Sequence, residues 1–382
     1  MKTGSITTIT AKLDKACPYH LGENIADSFA DYLNEHEYDR IAIVAGRKPF
    51  DLFGGEFTGA LSKRGIRHFR VVIEDTEAAK GWDNLASLCE TLVEFGLTRD
   101  SIIVALGGGV TGNIAGMAAG LIYRGVRYVE VPTTMMAQTD SVLSQKQAIN
   151  GRKGKNQFGL YHTPIFVWAD VAYVKTEPVR QTKAAIVEGV KNGLVNSPQW
   201  LEELTARLKE GMASIYSGLT DFTRMLVESK LAILDRDPSE KKDAIILEYG
   251  HTFGHAIEWL SRGSLYHGEA VSIGMCAEAQ LSSALGIMRD DVLAMHYYTL
   301  GELLGTPVHI PQNLRTDDIY AAMLNDNKRN RAGLTCLLLK EPGSLYQTNG
   351  SYLAKIDEAD AIFALEAARA GLSLAAAPGQ AN

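Results

Sequence analysis

The sequence predicts an α/β fold in which a parallel sheet with flanking helices is followed by a helical region. Short β-branched runs alternate with helical patterns over the first half, which indicates βαβ units. A turn of three consecutive glycines follows one apolar run and opens a helix, and long helices of apolar periodicity dominate from about Thr176. We therefore predict a Rossmann-like nucleotide-binding domain at residues 1–175 and an all-helical domain at residues 176–382.

Hydrophobic periodicity assigns the individual elements in chain order. The alternating residues 5–11 predict an edge strand, and short β-branched runs predict the other strands. The predicted strands are residues 5–11, 40–45, 68–73, 101–106, 128–131 and 166–169. The predicted helices of the first domain are residues 24–35, 50–64 and 82–95. Those of the second domain are residues 183–195, 221–234, 251–260 and 269–285.

Composition and charge exclude several classes of protein. Hydrophobic residues make up 46% and charged residues 22% of the 382 residues, which is typical of folded globular chains and not of disordered or coiled-coil ones. The net charge of -7 argues against a nucleic-acid partner. Four cysteines without a CxxC pair, and an N-terminus without the apolar core of a signal peptide, predict reduced thiols and a cytoplasmic location.

A glycine-rich segment argues against a membrane-spanning helix and provides the first candidate binding site. Residues 101–123 are uncharged and long enough to span a membrane, but the glycines of GGGVTG interrupt any continuous helix, so we expect no membrane partner. Glycine amides at a helix N-terminus suit a pyrophosphate. The spacing of LGGGVTGN (106–113) differs from GxGxxG, so a tight turn without a ligand is the alternative.

Histidines and one carboxylate indicate a metal site in the second domain. HTFGH places His251 and His255 on one face of a predicted helix, and His267 follows in YHGEA. Glu188 is an acidic residue in an otherwise apolar helix, where an unpaired carboxylate is costly. Nitrogen and carboxylate ligands suit zinc or cobalt. The alternative for each histidine is a hydrogen-bonded core residue.

Several basic residues stand in non-basic or glycine-rich surroundings that would suit a phosphate or oxyanion pocket. Because most lysines are simply solvated, surface charge is the alternative for each of them. These residues are Arg124, Lys146, Lys155, Lys191, Lys230 and Lys328.

In combination, these residues resemble the sugar phosphate cyclase family, whose best-known member is 3-dehydroquinate synthase. The similarity extends from about Ile41 to Arg329 and consists of ordered motifs. They are EAAK (77–80), GGGVTGN (107–113), VPTT (131–134), TDSVLSQKQAIN (139–150), GKN (154–156), VEGVKNGL (187–194), EYGHTFGHAIE (248–258) and HGEAV (267–271). The resemblance implies a dehydroquinate synthase-like fold, with NAD bound by the first domain and metal and substrate by the second.

The resemblance also implies a role for each candidate residue. Glu188, His251 and His267 would hold one divalent ion, zinc or cobalt. His255 would face the substrate, which corrects the interpretation of both HTFGH histidines as ligands. The NAD site would consist of Glu77, Lys80, Gly107, Gly108, Gly109, Asn113, Thr133, Thr134, Asp140, Lys155 and Thr176. Phosphate would be bound by Lys146, Asn156, Lys328 and Arg124, and the sugar hydroxyls by Lys191 and Lys230.

Three departures from the dehydroquinate pattern indicate a different substrate. DSVLSQK replaces DSSxGGK, Glu248 replaces an asparagine, and Ala244 stands where an arginine would bind the substrate carboxylate. The family members that share these departures cyclise glucose 6-phosphate, which has no carboxylate. The resemblance therefore implies transient oxidation by NAD at carbon 4, proton removal from carbon 5 by Glu248, loss of phosphate beside Lys146, re-reduction and aldol closure.

The resemblance is weaker where the adenosine ribose would bind. Gly46 and Arg47 stand where the family usually ends a strand with an aspartate, so NADP is the alternative to NAD. The resemblance further implies a homodimer, in which Arg124 reaches the partner subunit, and a role in an aminocyclitol antibiotic pathway.

Three other functions are weighed against this one. A metal- and NAD-dependent polyol dehydrogenase would accumulate NADH and would not need Lys146, Asn156 and Lys328. A non-catalytic binding protein would not need a complete set of ligands, base and cofactor turn. Among other cyclases, Ala244 argues against 3-dehydroquinate synthase itself, and His255 argues against the cyclases of seven-carbon ketose phosphates.

Overall fold

The computed structural model describes residues 6–12, 16–152, 154–237, 240, 242–324 and 333–371. Contacts within the chain define two compact units. The first consists of Met1–Ala185 and Met212–Ala244, and the second of Ile186–Gly211 and Ile245–Asn382. The predicted domains 1–175 and 176–382 stay a prediction; the division by contacts places the segment Met212–Ala244 with the first unit.

A parallel sheet forms the centre of the first unit, as the alternating pattern predicts. The strands of this unit are β1 (Ile6–Lys12), β2 (Ala16–Gly22), β3 (Ile41–Gly46), β4 (His68–Ile73), β5 (Ile102–Gly107), β6 (Arg127–Pro132), β7 (Lys146–Ile149), β8 (Phe158–Tyr161) and β9 (Val167–Asp170). Seven of them form one sheet in the order β1-β2-β9-β6-β5-β3-β4, and β7 and β8 form a separate antiparallel hairpin. Within the sheet, β1 and β2 are antiparallel and the other neighbours are parallel.

The strand β2 is an element that the sequence analysis does not predict. Its sequence, ACPYHLG, has no β-branched residue and contains Pro18, which lacks the amide proton that a strand donates to its neighbour. The strand forms because it pairs with β1 along its whole length and with β9 over its second half. Tertiary pairing therefore overrides the weak local propensity.

The helices surround the sheet and build the second unit. They are α1 (Ala26–Leu33), α2 (Arg47–Lys63), α3 (Trp82–Glu94), α4 (Gly109–Leu121), α5 (Met135–Thr139), α6 (Val179–Asn196), α7 (Pro198–Glu210), α8 (Met212–Ser217), α9 (Leu219–Leu234), α10 (His251–Ser261), α11 (His267–Ala284), α12 (Asp290–Tyr297), α13 (Thr316–Met323) and α14 (Glu358–Ala370). Alternate residues of β3 belong to two core clusters, so α1 and α2 cover one face of the sheet and α3 and α4 the other. Every residue of β3 and β5 is buried, which explains their continuous apolar runs.

The second unit is mainly helical and has α10 and α11 at its core. It also contains two short strand pairs that the sequence analysis does not predict, β10 (Thr335–Leu337) with β13 (Leu353–Lys355), and β11 (Leu339–Glu341) with β12 (Ser344–Leu345). Gly250, at the start of α10, has a left-handed φ of 80°. A Cβ on Gly274 would overlap the Gly250 carbonyl oxygen and lie 2.7 Å from the amide nitrogen of Gly254. The backbones of α10 and α11 are therefore in direct contact.

The uncharged segment 101–123 is divided between β5, the glycine turn and α4, as predicted. Among the described helices, none combines the length and the apolar character that crossing a bilayer requires.

The contact between α10 and α11 predicts a position-specific loss of stability. Gly274→Ala should lower the free energy of unfolding by about 1–3 kcal/mol, because the added methyl group overlaps backbone atoms that cannot rotate away. Urea denaturation measures this change. Gly59→Ala is the matched control, since Gly59 also lies inside a helix but has no atom within 4 Å of an added Cβ. The control should be neutral or stabilising by about 1 kcal/mol, and equal losses at both positions would contradict the prediction.

Candidate metal and nucleotide sites

Three candidate metal ligands meet in the second unit. Glu188 lies on α6, His251 is the first residue of α10, and His267 is the first residue of α11. The Glu188 Oε1 atom lies 3.7 Å from Nε2 of His251 and 3.6 Å from Nε2 of His267. One ligand atom of each residue lies within 4.8 Å of the others. The structure thus brings together the three residues for which the sequence analysis predicts this role.

Neighbouring oxygen atoms orient both imidazoles. Nδ1 of His251 lies 3.1 Å from the backbone oxygen of Tyr249, and Nδ1 of His267 lies 3.0 Å from Oε2 of Glu258. A ring that donates its Nδ1 proton to an oxygen presents the Nε2 lone pair, the form that binds a metal. Glu258 is a site residue that the sequence analysis misses. Its only signal is its place at the end of the EYGHTFGHAIE motif.

The buried Glu188 carboxylate has a different environment at each oxygen. Oε2 accepts a hydrogen bond from Nζ of Lys191, which is buried, whereas Oε1 has no hydrogen-bond partner among the described residues. Burial alone raises the pKa of Glu188, but the Lys191 ammonium and the two imidazoles hold this pKa well below its usual range. Burial lowers the pKa of His267, but Glu258 and Glu188 raise it to about 10. The negative charges of Glu258 and Glu188, which favour a proton on His267, also attract a divalent cation.

These residues fit a divalent ion such as zinc or cobalt. Ligand atoms at about 2.0–2.2 Å from a tetrahedral ion lie roughly 3.4 Å apart. The distances of 3.6 and 3.7 Å from the Glu188 oxygen to the two imidazole nitrogens are close to this separation. A buried carboxylate oxygen without a partner is costly unless a proton or a metal satisfies it. Three protein ligands leave a fourth position for substrate, as in catalytic sites.

His255 and Glu248 lie near the triad in the sequence motif without belonging to it. The His255 ring centroid is 5.1 Å from that of His251 and 5.8 Å from that of His267, and its side chain is half-buried. Glu248 ends the short 3₁₀ turn Asp243–Glu248 and is also half-buried. The substrate contact expected of His255 and the base role expected of Glu248 stay predictions.

The glycine-rich turn joins β5 to α4 in the first unit. Gly107 ends β5, Gly109 begins α4, and no described side chain caps the helix at Gly108. A Cβ on Gly107 would lie 2.6 Å from the Cβ of Thr111, so this position requires glycine. The first amides of a helix have no intrahelical acceptor, and the helix dipole adds partial positive charge. The turn therefore fits the pyrophosphate of a dinucleotide.

Asn113 connects this turn to the β7–β8 hairpin. Its Nδ2 atom donates a hydrogen bond of 2.8 Å to the Gly109 carbonyl, and its Oδ1 atom accepts one of 2.9 Å from the Ala148 amide on β7. Both ends of the side-chain amide are thus engaged by the protein. The predicted contact of Asn113 with NAD stays a prediction.

Three of the predicted cofactor residues are threonines of the first unit. The buried Thr133 donates its amide proton to the Gly107 carbonyl over 2.9 Å, which places it beside the turn. The Thr134 hydroxyl caps α5 by accepting the amide proton of Ala137. Thr176 donates its hydroxyl proton to a backbone oxygen within the 3₁₀ turn Val171–Thr176. Among the described residues, Thr176 makes no hydrogen bond to the glycine turn.

The EAAK and GKN motifs form one polar cluster in the first unit. Nζ of Lys155 lies 3.2 Å from Oε1 of Glu77, and Nζ of Lys80 donates a hydrogen bond of 2.6 Å to Oδ1 of Asn156. Asn150 joins the two motifs, because its Nδ2 donates to Glu77 and its Oδ1 accepts from the Asn156 amide. The structure therefore brings together the four predicted residues, and it adds Asn150, for which the sequence analysis assigns no role.

Two further predicted residues pair with carboxylates in the first unit. Lys230 donates a hydrogen bond of 2.6 Å to Oδ1 of Asp140, so a residue assigned to sugar binding contacts one assigned to NAD binding. Nζ of Lys146, which is exposed, lies 2.6 Å from Oε2 of Glu240. The sequence analysis does not single out Glu240, because nothing in its local sequence indicates this long-range pair.

The remaining basic candidates are Arg124 and Lys328. Arg124 is exposed in a turn where Tyr123, Arg124 and Gly125 all have positive φ angles, of 52°, 67° and 125°. Within the described residues, Arg124 has no hydrogen bond or ion pair with another predicted site residue. Lys328 lies outside the described residues.

Family sequence profiles match most of the chain. The 3-dehydroquinate synthase N-terminal profile matches residues 70–184, and the C-terminal profile matches residues 185–329. A 2-deoxy-scyllo-inosose synthase from Streptoalloteichus tenebrarius is 34% identical over 383 residues, which covers 98% of this chain and 99% of that protein. A 2-deoxy-scyllo-inosose synthase from Niallia circulans is 36% identical over 324 residues, which covers 83% of this chain and 85% of that protein.

Solved structures of similar fold include a 2-deoxy-scyllo-inosose synthase and more distant dehydrogenases. A 2-deoxy-scyllo-inosose synthase complexed with carbaglucose-6-phosphate, NAD+ and Co2+ has a TM-score of 0.81 at 30% identity, over 96% of this chain and 100% of that one. A glycerol dehydrogenase from Schizosaccharomyces pombe, with a TM-score of 0.64 at 15% identity over 97% of this chain and 92% of that one, shares the fold alone. The fold class predicted from the sequence is confirmed, and the chain belongs to the 3-dehydroquinate synthase family.

Proposed function

We propose that this protein converts glucose 6-phosphate into 2-deoxy-scyllo-inosose and inorganic phosphate, with NAD and one zinc or cobalt ion as cofactors. The observation that carries the proposal is the triad of Glu188, His251 and His267, in which a buried carboxylate oxygen has no hydrogen-bond partner within the described part of the chain. Two relatives named 2-deoxy-scyllo-inosose synthase are 34% and 36% identical to this chain. A solved structure of a 2-deoxy-scyllo-inosose synthase holds carbaglucose-6-phosphate, NAD+ and Co2+.

The cofactors would supply the Lewis acid and the hydride acceptor, and residues of the chain would bind the substrate. When bound, the divalent ion supplies a Lewis acid for the sugar hydroxyls, and NAD supplies a hydride acceptor that is regenerated within one turnover. Lys191, held by Glu188, and Lys230, held by Asp140, are proposed to donate hydrogen bonds to the sugar hydroxyls. The paired carboxylates fix both ammonium groups in place, so little side-chain entropy remains to be lost on binding.

Glu248 is proposed as the base that removes the proton from carbon 5 of the oxidised sugar. A carboxylate can accept this proton, whereas the asparagine of the dehydroquinate pattern cannot. Phosphate then leaves from carbon 6, and Lys146 compensates the negative charge that develops on it. His255 is proposed to contact the substrate. Asn156, Arg124 and Lys328 complete the proposed phosphate site.

We further propose a homodimer in the cytoplasm. The first unit exposes several large apolar side chains near the end of α4 and the β7–β8 hairpin, which supports a second copy of the chain as partner. These side chains are Trp82, Leu121, Tyr123, Phe158 and Tyr161. Arg124 directly follows Tyr123, which supports the expectation that it reaches the partner subunit. All four cysteines are free, as a reducing compartment requires.

The first test follows inorganic phosphate and NADH absorbance together, with glucose 6-phosphate, NAD and cobalt supplied. We expect phosphate release without accumulation of NADH, because each hydride removed from carbon 4 returns to it. Lasting NADH without phosphate would contradict the proposal and would favour a polyol dehydrogenase. The absence of both signals would also contradict it, and heptulosonate and heptulose phosphates would then be the next substrates.

Glu248→Gln should lower the rate of phosphate release by about 10²–10⁴-fold, because the amide cannot accept the carbon 5 proton. Metal content and NAD affinity should stay at their original values, since Glu248 is proposed to contact neither. Glu302→Gln, an exposed position, is the control for the loss of one negative charge. Turnover that equals that of the control would remove Glu248 from the role of base.

The metal triad predicts different outcomes for two histidines on one helix. His251→Ala should abolish stoichiometric cobalt binding, as measured by metal analysis after dialysis, because it deletes one of three ligands. His255→Ala should retain the ion, since its ring lies beside the triad and not in it. Glu258→Gln should weaken cobalt binding by about 10–100-fold, since Glu258 orients His267. Loss of the ion from the His255 variant alone would contradict this assignment.

A further inference from the structure

The strand that adjoins the glycine-rich turn ends without an acidic residue. In nucleotide-binding sheets, the neighbour of the strand that leads into the turn usually carries an acidic residue near its end, which binds the ribose 2′-hydroxyl, and an arginine nearby accommodates a 2′-phosphate instead. Here β5 leads into the turn, β3 is its neighbour, and β3 ends in Gly46 followed by Arg47. These two residues alone would indicate NADP.

The space beside Gly46 is filled from the next strand of the sheet. β4 is parallel to β3 and pairs Gly46 with Ile73, so Asp75 lies just beyond this edge. A Cβ on Gly46 would lie 2.8 Å from the Cβ and 3.0 Å from Oδ2 of Asp75. A carboxylate is therefore present at the end of β3, although it comes from β4. Asp75 is half-buried and has no hydrogen-bond or ion-pair partner among the described residues.

The other charged residues near Gly46 do not explain a preference for NAD over NADP. Arg47 and Lys48 begin α2, and no described side chain caps this helix at Gly46, so the corner without Asp75 would favour a phosphate. Glu74 lies 4.0 Å from Arg47, but these side chains are 67% and 56% exposed. An ion pair so exposed neutralises little of the guanidinium charge.

We propose that Asp75 selects NAD over NADP by accepting hydrogen bonds from the adenosine ribose hydroxyls and repelling a 2′-phosphate. This inference rests on the proposed dinucleotide site at the glycine-rich turn. It assigns to the end of β4 the role that other nucleotide-binding sheets assign to the strand beside the turn. The absence of a side chain at Gly46 is then the condition that lets the Asp75 carboxylate reach the ribose.

The test titrates NAD+ and NADP+ separately into the metal-loaded protein and compares dissociation constants by calorimetry, without sugar phosphate. The original protein should bind NAD+ more tightly than NADP+. In Asp75→Asn this ratio should fall by on the order of tenfold or more, because the variant loses the repulsion of the 2′-phosphate. Glu74→Gln removes an equal charge from the adjacent residue and should change the ratio by less than about twofold.

Each outcome decides the inference. An unchanged ratio in Asp75→Asn, with both dinucleotides still bound, would overturn the role of Asp75 and leave the proposed function intact. An equal change in Glu74→Gln would also overturn it, since the net charge of the corner and not one carboxylate would then select the cofactor. If the original protein binds neither dinucleotide, the proposed NAD site itself fails and the inference fails with it. Asp75→Ser provides a second variant should Asp75→Asn not fold.

Discussion

The close contact between α10 and α11 is the constraint on which the candidate metal site depends. Gly250 and Gly274 remove side chains from this contact, so the two helices meet backbone to backbone. His251 and His267 begin these helices, so the separation of the two backbones sets how closely the two imidazoles approach, with ring centroids 5.3 Å apart. A larger residue at the contact would move the nitrogen atoms apart without changing any ligand.

Charge balance is the second requirement of this site. A buried carboxylate is tolerated only when opposite charge and hydrogen bonds compensate its lost hydration. Glu188 meets this condition by facing the Lys191 ammonium with one oxygen and two imidazoles with the other. The same arrangement places a cationic hydrogen-bond donor beside the candidate metal ligands, where Lys191 is proposed to bind a sugar hydroxyl. The role proposed for Lys191 therefore depends on the same contact that compensates the charge of Glu188.

Local patterns predict the parts of this protein that depend on local order. The strands β3 and β5 and the glycine turn are recognisable because buried parallel strands are continuous apolar runs and the glycines adjoin one another. β2 escapes prediction because Pro18 weakens its pattern and distant strands stabilise it. Residue type makes Glu188 and His267 candidates, but only the fold shows their proximity. Glu258 and Glu240 are missed because the sequence does not show which residues they contact. Their partners, His267 and Lys146, lie 9 and 94 residues away along the chain.

Asn113 joins two structures that are distant in sequence. One end of its amide bonds the first turn of α4 at Gly109, and the other bonds Ala148 in the hairpin that begins with Lys146. Rotation of this one side chain would break both bonds, so the turn and the hairpin are mechanically coupled. The turn proposed to bind the dinucleotide and the hairpin that begins with Lys146, which is proposed to bind phosphate, therefore share one side chain. A substitution of Asn113 would therefore remove a contact from both proposed sites at once.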